Sequence, residues 1–250
     1  MSQIGKFTSK ASFYHHRWNY ALPAIDAICA AIGGANGKKI ADLGAGNGAL
    51  SKHFLARGAD VYAVEPNKAM LPLAQAALNH YPTFHPICAP AEDTKLPAHT
   101  MDAIVVGRAL HWFAPQEASQ EIRRIIKPNG LLAILHVPPA NKHIREALLS
   151  VRSAKNGWDM TTGGTHPPAP PHALYFGHHH YQKLQFSQVI SQSWPEFWGN
   201  LCSRSSSPDI SASQIERFRQ EAYTLFEILS HDGLFTIETL TTVSLGTITE

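Results

Sequence analysis

Short runs of apolar residues alternate with segments of helical periodicity between residues 39 and 137. The apolar runs predict strands, and the intervening segments, where apolar residues recur every three or four positions, predict helices. The predicted strands are residues 39–43, 59–65, 83–89, 101–107 and 130–137, and the predicted helices are 48–57, 68–80 and 115–126. Strands that alternate with helices favour a parallel sheet with right-handed crossovers. The continuous apolar strands fit a sheet covered on both faces.

The two ends of the chain depart from this alternation. Residues 5–32 predict a loop followed by a helix over 23–31, and a helix over 142–153 leads into a long segment rich in Gly, Pro and His. A connection of that length inside a domain is typical of a functional lid or of a mobile segment. The last predicted elements are a strand over 185–194, a helix over 212–229 and a strand over 234–248. We therefore predict one domain over 1–250, divided into an arm and helix (1–36), a core (37–137), a lid insertion (138–180) and a part completing the sheet (181–250).

Composition and charge exclude several classes of protein. The 250 residues carry a formal net charge of +2, which provides no electrostatic footprint for nucleic acid or an anionic membrane. The three cysteines are scattered and form no CxxC pair, which argues against a disulfide framework and a structural zinc site. No apolar run approaches the ~20 residues of a membrane span, and the N-terminus lacks the apolar region of a secretory signal. We expect a cytoplasmic protein, a monomer or homodimer, without nucleic-acid or membrane partners.

The segment IADLGAGNGAL, residues 40–50, places three glycines at the turn from the first predicted strand into the first predicted helix. Glycine permits a tight turn and close approach of a ligand, and a helix N-terminus offers N–H groups to an anion. Gly44, Gly46 and Ala49 alone match the dinucleotide pattern GxGxxG/A, which is weak evidence. Asp42 favours a different ligand, because a carboxylate would repel a pyrophosphate and attract an ammonium group. S-adenosylmethionine has an amine, a carboxylate and no phosphate. The alternative is that Asp42 only caps the turn.

Glu65 is a second acidic residue, at the end of the second predicted strand. An acid about 20 residues past such glycines is where a ribose diol is bound, and the alternative is a solvated strand-end carboxylate. Pro66 favours an extended backbone at Glu65. Met70 is expected to pack either against an adenine ring or within the core.

Four stretches together resemble the class I S-adenosylmethionine-dependent methyltransferases of the small-molecule, type 11 kind. They are ADLGAGNGAL, VYAVEPNKAM, APAEDTKLPAHTMDAIVVGRALHWF and EIRRIIKPNGLLAI, and they cover roughly residues 38–137. The outer segments GKFTSKASFYHHRWNYALPAIDAI and GLFTIETLTTVSLGTI resemble the narrower trans-aconitate methyltransferase-like group. In the arm, Tyr14 and Arg17 lie closer together than in that group, and Trp18 stands where a proline is usual.

The resemblance implies a Rossmann-like α/β fold. Its seven-stranded, mostly parallel sheet would have an antiparallel last strand, in three α/β/α layers, with an N-terminal arm and an inserted lid. S-adenosylmethionine would lie over the carboxyl ends of strands one and two, and S-adenosylhomocysteine would be the product. Carried over by position, Asp42, Gly44 and Gly46 would hold the methionine part, and Glu65 would take the ribose hydroxyls. Ala45 and Pro66 are further expected cofactor-binding residues. Met70, Ala91 and Glu92 would surround the adenine, and Arg108 and Ala109 would lie near the sulfonium and the acceptor.

The acceptor side is less determined by the sequence. Methyl transfer from a sulfonium needs alignment and exclusion of water, and a carboxylate acceptor needs no base, whereas a phenol or ammonium must lose a proton. His111 is a candidate base, with a hydrogen-bonded wall residue as the alternative. Tyr14, Arg17, Tyr20 and Trp112 are candidate acceptor contacts. The alternative for Arg17 is a surface arginine, and the alternative for Trp112 is packing under the cofactor or the lid.

The histidines at 178–180 are not expected to hold a metal, because adjacent histidines in a loop cannot all face one ion and no matching carboxylate cluster is evident. The predicted function is transfer of a methyl group from S-adenosylmethionine to a small-molecule acceptor by in-line displacement. The alternatives are a non-catalytic protein that binds the cofactor and its product, and an NAD-dependent Rossmann oxidoreductase.

Overall fold

The computed structural model describes residues 3–152, 170–177, 181–208 and 214–248, with the side chains of the first range from residue 8 onward. These residues form two compact units, which we describe separately. The core unit comprises the described parts of Tyr20–His136, Pro167–Phe186 and Thr241–Glu250, and the arm unit those of Met1–Asn19, Val137–His166 and Ser187–Leu240. Much of the predicted lid, including the Gly163-Gly164 pair and the histidines at 178–180, lies outside the described residues.

One seven-stranded sheet organises the chain, with strand order β3-β2-β1-β4-β5-β7-β6. Strands β1 to β5 pair in parallel, and β7 pairs antiparallel with β5. The predicted α/β fold class with an antiparallel last strand is therefore confirmed. The strands, in chain order from β1 to β7, are Lys39–Leu43, Asp60–Val64, Phe84–Ile87, Met101–Gly107, Ile126–His136, Gln182–Gln192 and Phe235–Thr247.

Eight α-helices and two 3₁₀ helices lie in the described part of the chain. The α-helices, α1 to α8, are Leu22–Ala31, Ser51–Leu55, Leu71–Leu78, Pro115–Ile125, Lys142–Val151, Ala173–Phe176, Trp194–Cys202 and Ile215–Leu229. The 3₁₀ helices are Gln3–His16 and Leu110–Trp112. Each of these described helices is too short or too polar to cross a lipid bilayer.

Three differences from the sequence prediction concern local structure. The segment before α1 was predicted as a loop, and it is instead a 3₁₀ helix over Gln3–His16. Helix α7 was not predicted, and α6 lies within the segment predicted as a lid insertion. Strand β5 begins at Ile126, directly after α4, and its pairing with β4 shifts register between Ile126 and Leu131, where Asn129 has a left-handed φ of 61°.

The sheet positions the site through its strand order. The strand order reverses between β1 and β4, which lie side by side. From β1 the sheet continues through β2 to β3, and from β4 it continues in the opposite direction to β5. Open α/β sheets bind ligands outside the carboxyl ends of the strands at such a switch point. The strands behind it are rigidly packed, since Ala103, Ile104, Val105 and Val106 of β4 are fully buried. The carboxyl ends of β1, β2 and β4 are therefore where a ligand site is expected.

Candidate functional site

The glycine turn after β1 is held by the protein's own backbone. Gly44 and Ala45 both donate to the carbonyl oxygen of Val64, at 2.9 and 3.1 Å. Gly44 has a φ of +70°, and a Cβ placed on it would lie 2.5 Å from Cβ of Ala109, after β4. The sequence predicts that a ligand approaches the backbone closely at this turn. The structure shows that the lack of a Cβ at Gly44 also lets the turns after β1 and β4 approach each other.

Asp42 is the penultimate residue of β1 and is buried, with 1% of its surface exposed. Its Oδ2 atom accepts a hydrogen bond of 2.6 Å from Oγ of Ser51, the first residue of α2. Burial and the nearby charge of Glu65 raise the pKa of Asp42 to about 7, against the lowering effect of the Ser51 hydrogen bond. A buried carboxyl with this pKa gains its charge most readily beside a cation. An ammonium group of a ligand would supply that cation.

Glu65 follows β2 and binds the glycine turn directly. Its Oε2 accepts from the N–H of Gly46 at 2.8 Å, and its Oε1 accepts from the N–H of Asn67 at 2.8 Å. Burial raises the pKa of Glu65, and these two hydrogen bonds oppose the rise. A carboxylate has about four lone-pair sites, so two remain for ribose hydroxyls. The sequence predicted a binding role for Glu65 but gave no signal for its support of Gly46, which depends on the pairing of β1 with β2.

The residues predicted to surround an adenine lie on two segments of the core unit, one before α3 and one after β3. Met70 precedes α3 and is buried, and Ala91 is buried in the cluster that also contains Val64. Glu92 accepts a hydrogen bond of 2.7 Å from the N–H of Ala114, the residue before α4. Glu92 therefore holds the residue before α4 in place, a role that the sequence analysis missed. Pro66 is half-buried next to Glu65.

Arg108 and Tyr20 come together at the carboxyl end of β4. The Arg108 Nε donates to the Tyr20 hydroxyl at 3.1 Å, and its guanidinium lies 4.6 Å from the centre of the Tyr20 ring. Arg108 has a left-handed φ of +59°, a conformation that costs a non-glycine residue free energy and concentrates at functional sites. The structure thus joins one residue predicted near the sulfonium with one predicted as an acceptor contact. Ala109 is buried beside Gly44.

His111 and Trp112 form part of the 3₁₀ helix that follows β4. Their ring centres are 4.7 Å apart, and both side chains are half-buried. The base and wall interpretations of His111 both remain predictions.

Tyr14 and Arg17 belong to the arm unit. The Arg17 guanidinium lies 4.6 Å from the centre of the Tyr14 ring and donates to the carbonyl oxygen of Ser203 at 3.2 Å. Arg17 is therefore anchored to the segment after α7. Their roles as acceptor contacts remain predictions.

Within the described ranges, no group of three or more His, Cys, Asp or Glu side chains is arranged to hold a metal ion.

Residues 41–134 match the family model described as a methyltransferase domain. An uncharacterized methyltransferase of Mycobacterium bovis is 35% identical over 119 residues, 48% of this chain and 46% of that protein. The malonyl-[acyl-carrier protein] O-methyltransferase of Salmonella typhimurium is 26% identical over 140 residues, 53% of this chain and 55% of that protein. This chain thus spans about half the length of these relatives.

The fold has similar solved structures at low sequence identity. A protein from Anaeromyxobacter dehalogenans that was assigned as a type II methyltransferase superposes with a TM-score of 0.66 at 18% identity, over 93% of this chain and 98% of that one. The YcgJ protein from Bacillus subtilis superposes with a TM-score of 0.54 at 16% identity, over 86% and 93% of the two chains. Residues 41–134 are thus similar to a methyltransferase domain, and the fold is shared with these solved structures.

Proposed function

We propose that this chain binds S-adenosylmethionine and transfers its methyl group to a small-molecule acceptor. The observation that carries the proposal is the buried carboxyl of Asp42, beside a glycine turn at the switch point of the sheet. A carboxylate at this position would repel the pyrophosphate of a dinucleotide, whereas it would attract the α-amino group of S-adenosylmethionine. The similarity of residues 41–134 to a methyltransferase domain supports the same ligand.

The residues of the core unit fit the cofactor in their chemistry. Asp42 would hold the ammonium group, Glu65 the ribose hydroxyls, and Met70 with Ala91 the adenine. When bound, S-adenosylmethionine supplies an activated methyl group, so the protein's own task is to orient the acceptor and exclude water. Hydrogen bonds from Gly46 and Ser51 fix the two carboxylates before any ligand arrives, which lowers the cost of ordering the site.

Calorimetry with S-adenosylmethionine, S-adenosylhomocysteine and NAD tests the proposal. We expect the two sulfur compounds to bind and NAD to bind far more weakly. Asp42→Asn should weaken binding by about 1.5–3 kcal/mol, the worth of a charged hydrogen bond, which is roughly 10- to 150-fold in Kd. Asp60→Asn is the matched control, because Asp60 begins β2 at the opposite end of the strands. Equal binding by Asp42→Asn and wild type would refute the placement of Asp42.

A non-catalytic cofactor-binding protein is the second candidate, and binding alone does not distinguish it from an enzyme. An assay for S-adenosylhomocysteine formation across carboxylic acids, phenols and amines does. The O-methyltransferase among the relatives favours oxygen as the acceptor atom. Binding of NAD in preference to S-adenosylmethionine would instead indicate an oxidoreductase.

A further inference from the structure

A pair of histidines lies at the carboxyl end of β5, next to the residues that follow β4. His136 is the last residue of β5, and the preceding residue, Leu135, accepts a hydrogen bond of 2.9 Å from the N–H of Arg108. Arg108 therefore lies beside the end of β5 in the core unit. This places His136 at the edge of the sheet where the acceptor of an α/β enzyme is expected.

The second histidine, His172, precedes α6 and stacks on the first. The ring centres of His136 and His172 are 5.9 Å apart, with only 11° between the ring planes. Nδ1 of His172 lies 2.8 Å from Oγ of Ser244 on β7, which fixes the ring. Tyr181 lies 6.1 Å from His172 and stacks on Phe176 at 4.6 Å. The two imidazoles thus continue a row of aromatic rings.

The charged side chains that act on the pair are the cations Arg108 and Lys183, and the two imidazoles themselves are neutral. Burial, together with the neighbouring His172 and Arg108, lowers the pKa of His136 to about 4. Burial also lowers the pKa of His172, with Lys183 of β6 contributing. At neutral pH each imidazole therefore keeps a lone pair that can accept a hydrogen bond. Arg108 supplies the adjacent positive charge.

This combination discriminates between classes of acceptor. An ammonium acceptor would be repelled by Arg108. A carboxylate would pair with Arg108, but the ionised carboxylate has no proton to donate to an imidazole lone pair. A hydroxyl group satisfies both, because it donates to an imidazole nitrogen while its oxygen accepts from a guanidinium. Stacked rings beside it favour a planar, aromatic body.

We infer that His136, His172 and Arg108 form a binding site for the hydroxyl group of a phenolic acceptor, with His136 accepting the hydrogen bond of that hydroxyl. The inference rests on the proposed function, since it names the acceptor class of the same site. His172, held by Ser244, positions the His136 ring.

The experiment measures binding of three matched probes to the protein saturated with S-adenosylhomocysteine, at a pH where 4-nitrophenol is neutral. 4-Nitrophenol has the hydroxyl, 4-nitroanisole carries a methyl ether in its place, and 4-nitrobenzoate carries a carboxylate. We expect wild type to prefer 4-nitrophenol to 4-nitroanisole by about 5- to 10-fold, the worth of one hydrogen bond. In His136→Phe, which keeps a ring and removes the lone pair, this ratio should fall to about one. His85→Phe, the same change on β3, should keep the wild-type ratio.

Ser244→Ala serves as a second variant in case His136→Phe does not fold, and it should lower the ratio by releasing His172. The inference would be overturned by an unchanged ratio in His136→Phe, or in Ser244→Ala if His136→Phe does not fold. It would also be overturned if 4-nitrophenol did not bind. Tighter binding of 4-nitrobenzoate than of 4-nitrophenol would overturn it in favour of a carboxylate acceptor. Failure of S-adenosylhomocysteine itself to bind would instead refute the proposed function, and this inference with it.

Discussion

At the scale of single residues, Asp42 couples the stability of the ligand-free protein to pH. Its pKa is about 7 in the folded protein, above the ordinary value of 3.8. Below the ordinary value both states carry the proton, and folding bears no cost. As pH rises towards 7, the unfolded chain releases this proton while the folded protein keeps it, so stability is lost over that window. Above it the full cost persists.

Asp42→Asn should therefore stabilise the ligand-free protein, and more so at high pH. The stabilisation should be roughly 2–3 kcal/mol larger at pH 8 than at pH 5, from about 1.4 kcal/mol per pKa unit. Urea unfolding at both values measures it. Asp60→Asn, which removes a half-exposed carboxylate near His85, should change stability by under about 1 kcal/mol. A gain from Asp42→Asn that is identical at the two pH values would show that Asp42 is not the buried titrating group.

Residue positions were predictable from the sequence where a residue type and its spacing imply a ligand. Asp42 and Glu65 were singled out on that basis, and the structure places them at the ends of adjacent strands. Their protein partners were not predictable. The contact of Glu65 with Gly46 and that of Asp42 with Ser51 depend on the register of β1 against β2 and on where α2 begins. His136 carries no sequence motif, and only the sheet brings it beside Arg108.

At the scale of elements, the turns after β1 and β4 share one tight contact, at Gly44. Gly44→Ala should destabilise the protein in two ways, through its left-handed φ and through the approach of its Cβ to Ala109. Gly33→Ala isolates the first, because Gly33 has a φ of +72° and nothing within 4 Å of an added Cβ. We expect Gly33→Ala to cost about 1–2 kcal/mol and Gly44→Ala about 1–3 kcal/mol more, from overpacking. Urea unfolding measures both.

The double variant Gly44→Ala/Ala109→Gly separates the clash from backbone strain. Removal of the Ala109 Cβ should recover part of the excess cost of Gly44→Ala, because the two Cβ atoms no longer compete for one space. Equal stability losses for Gly33→Ala and Gly44→Ala would mean that the turn after β4 moves away from the added Cβ without a measurable cost in stability.

The strands of the parallel sheet were predictable because burial on both faces makes them continuous apolar runs. Helix α7 was missed although its signal is present. Ser193 and Glu196 form a capping box, and Pro195 lies in the first turn, but the predicted strand was extended through Trp194. The 3₁₀ helix over Gln3–His16 has no comparable signal. Its Lys10 donates to the carbonyl oxygens of Arg204 and Ser207, which lie 194 and 197 residues further along the chain.

At the scale of the whole molecule, the arm predicted to act as a lid is tied to one distant segment within its own unit. Lys10 donates to Arg204 O at 3.0 Å, Arg17 to Ser203 O at 3.2 Å, and Trp18 to the side chain of Gln192 at 2.9 Å. The arm and residues 192–207 therefore form one packed assembly. Any change in the arm that follows ligand binding should be shared by that segment.

Hydrogen exchange with saturating S-adenosylhomocysteine tests the lid. We expect amide exchange to slow at the turns after β1 and β2 and also in residues 5–20, because a sulfonium site must exclude water and needs a cover. Since Lys10 and Arg17 anchor the arm, residues 192–207 should slow with it. NAD at the same concentration is the control and should leave the arm unchanged. Slowing confined to the turns after β1 and β2 would identify the arm as a fixed packing element, and Arg17 would then be a structural anchor rather than a contact of the acceptor.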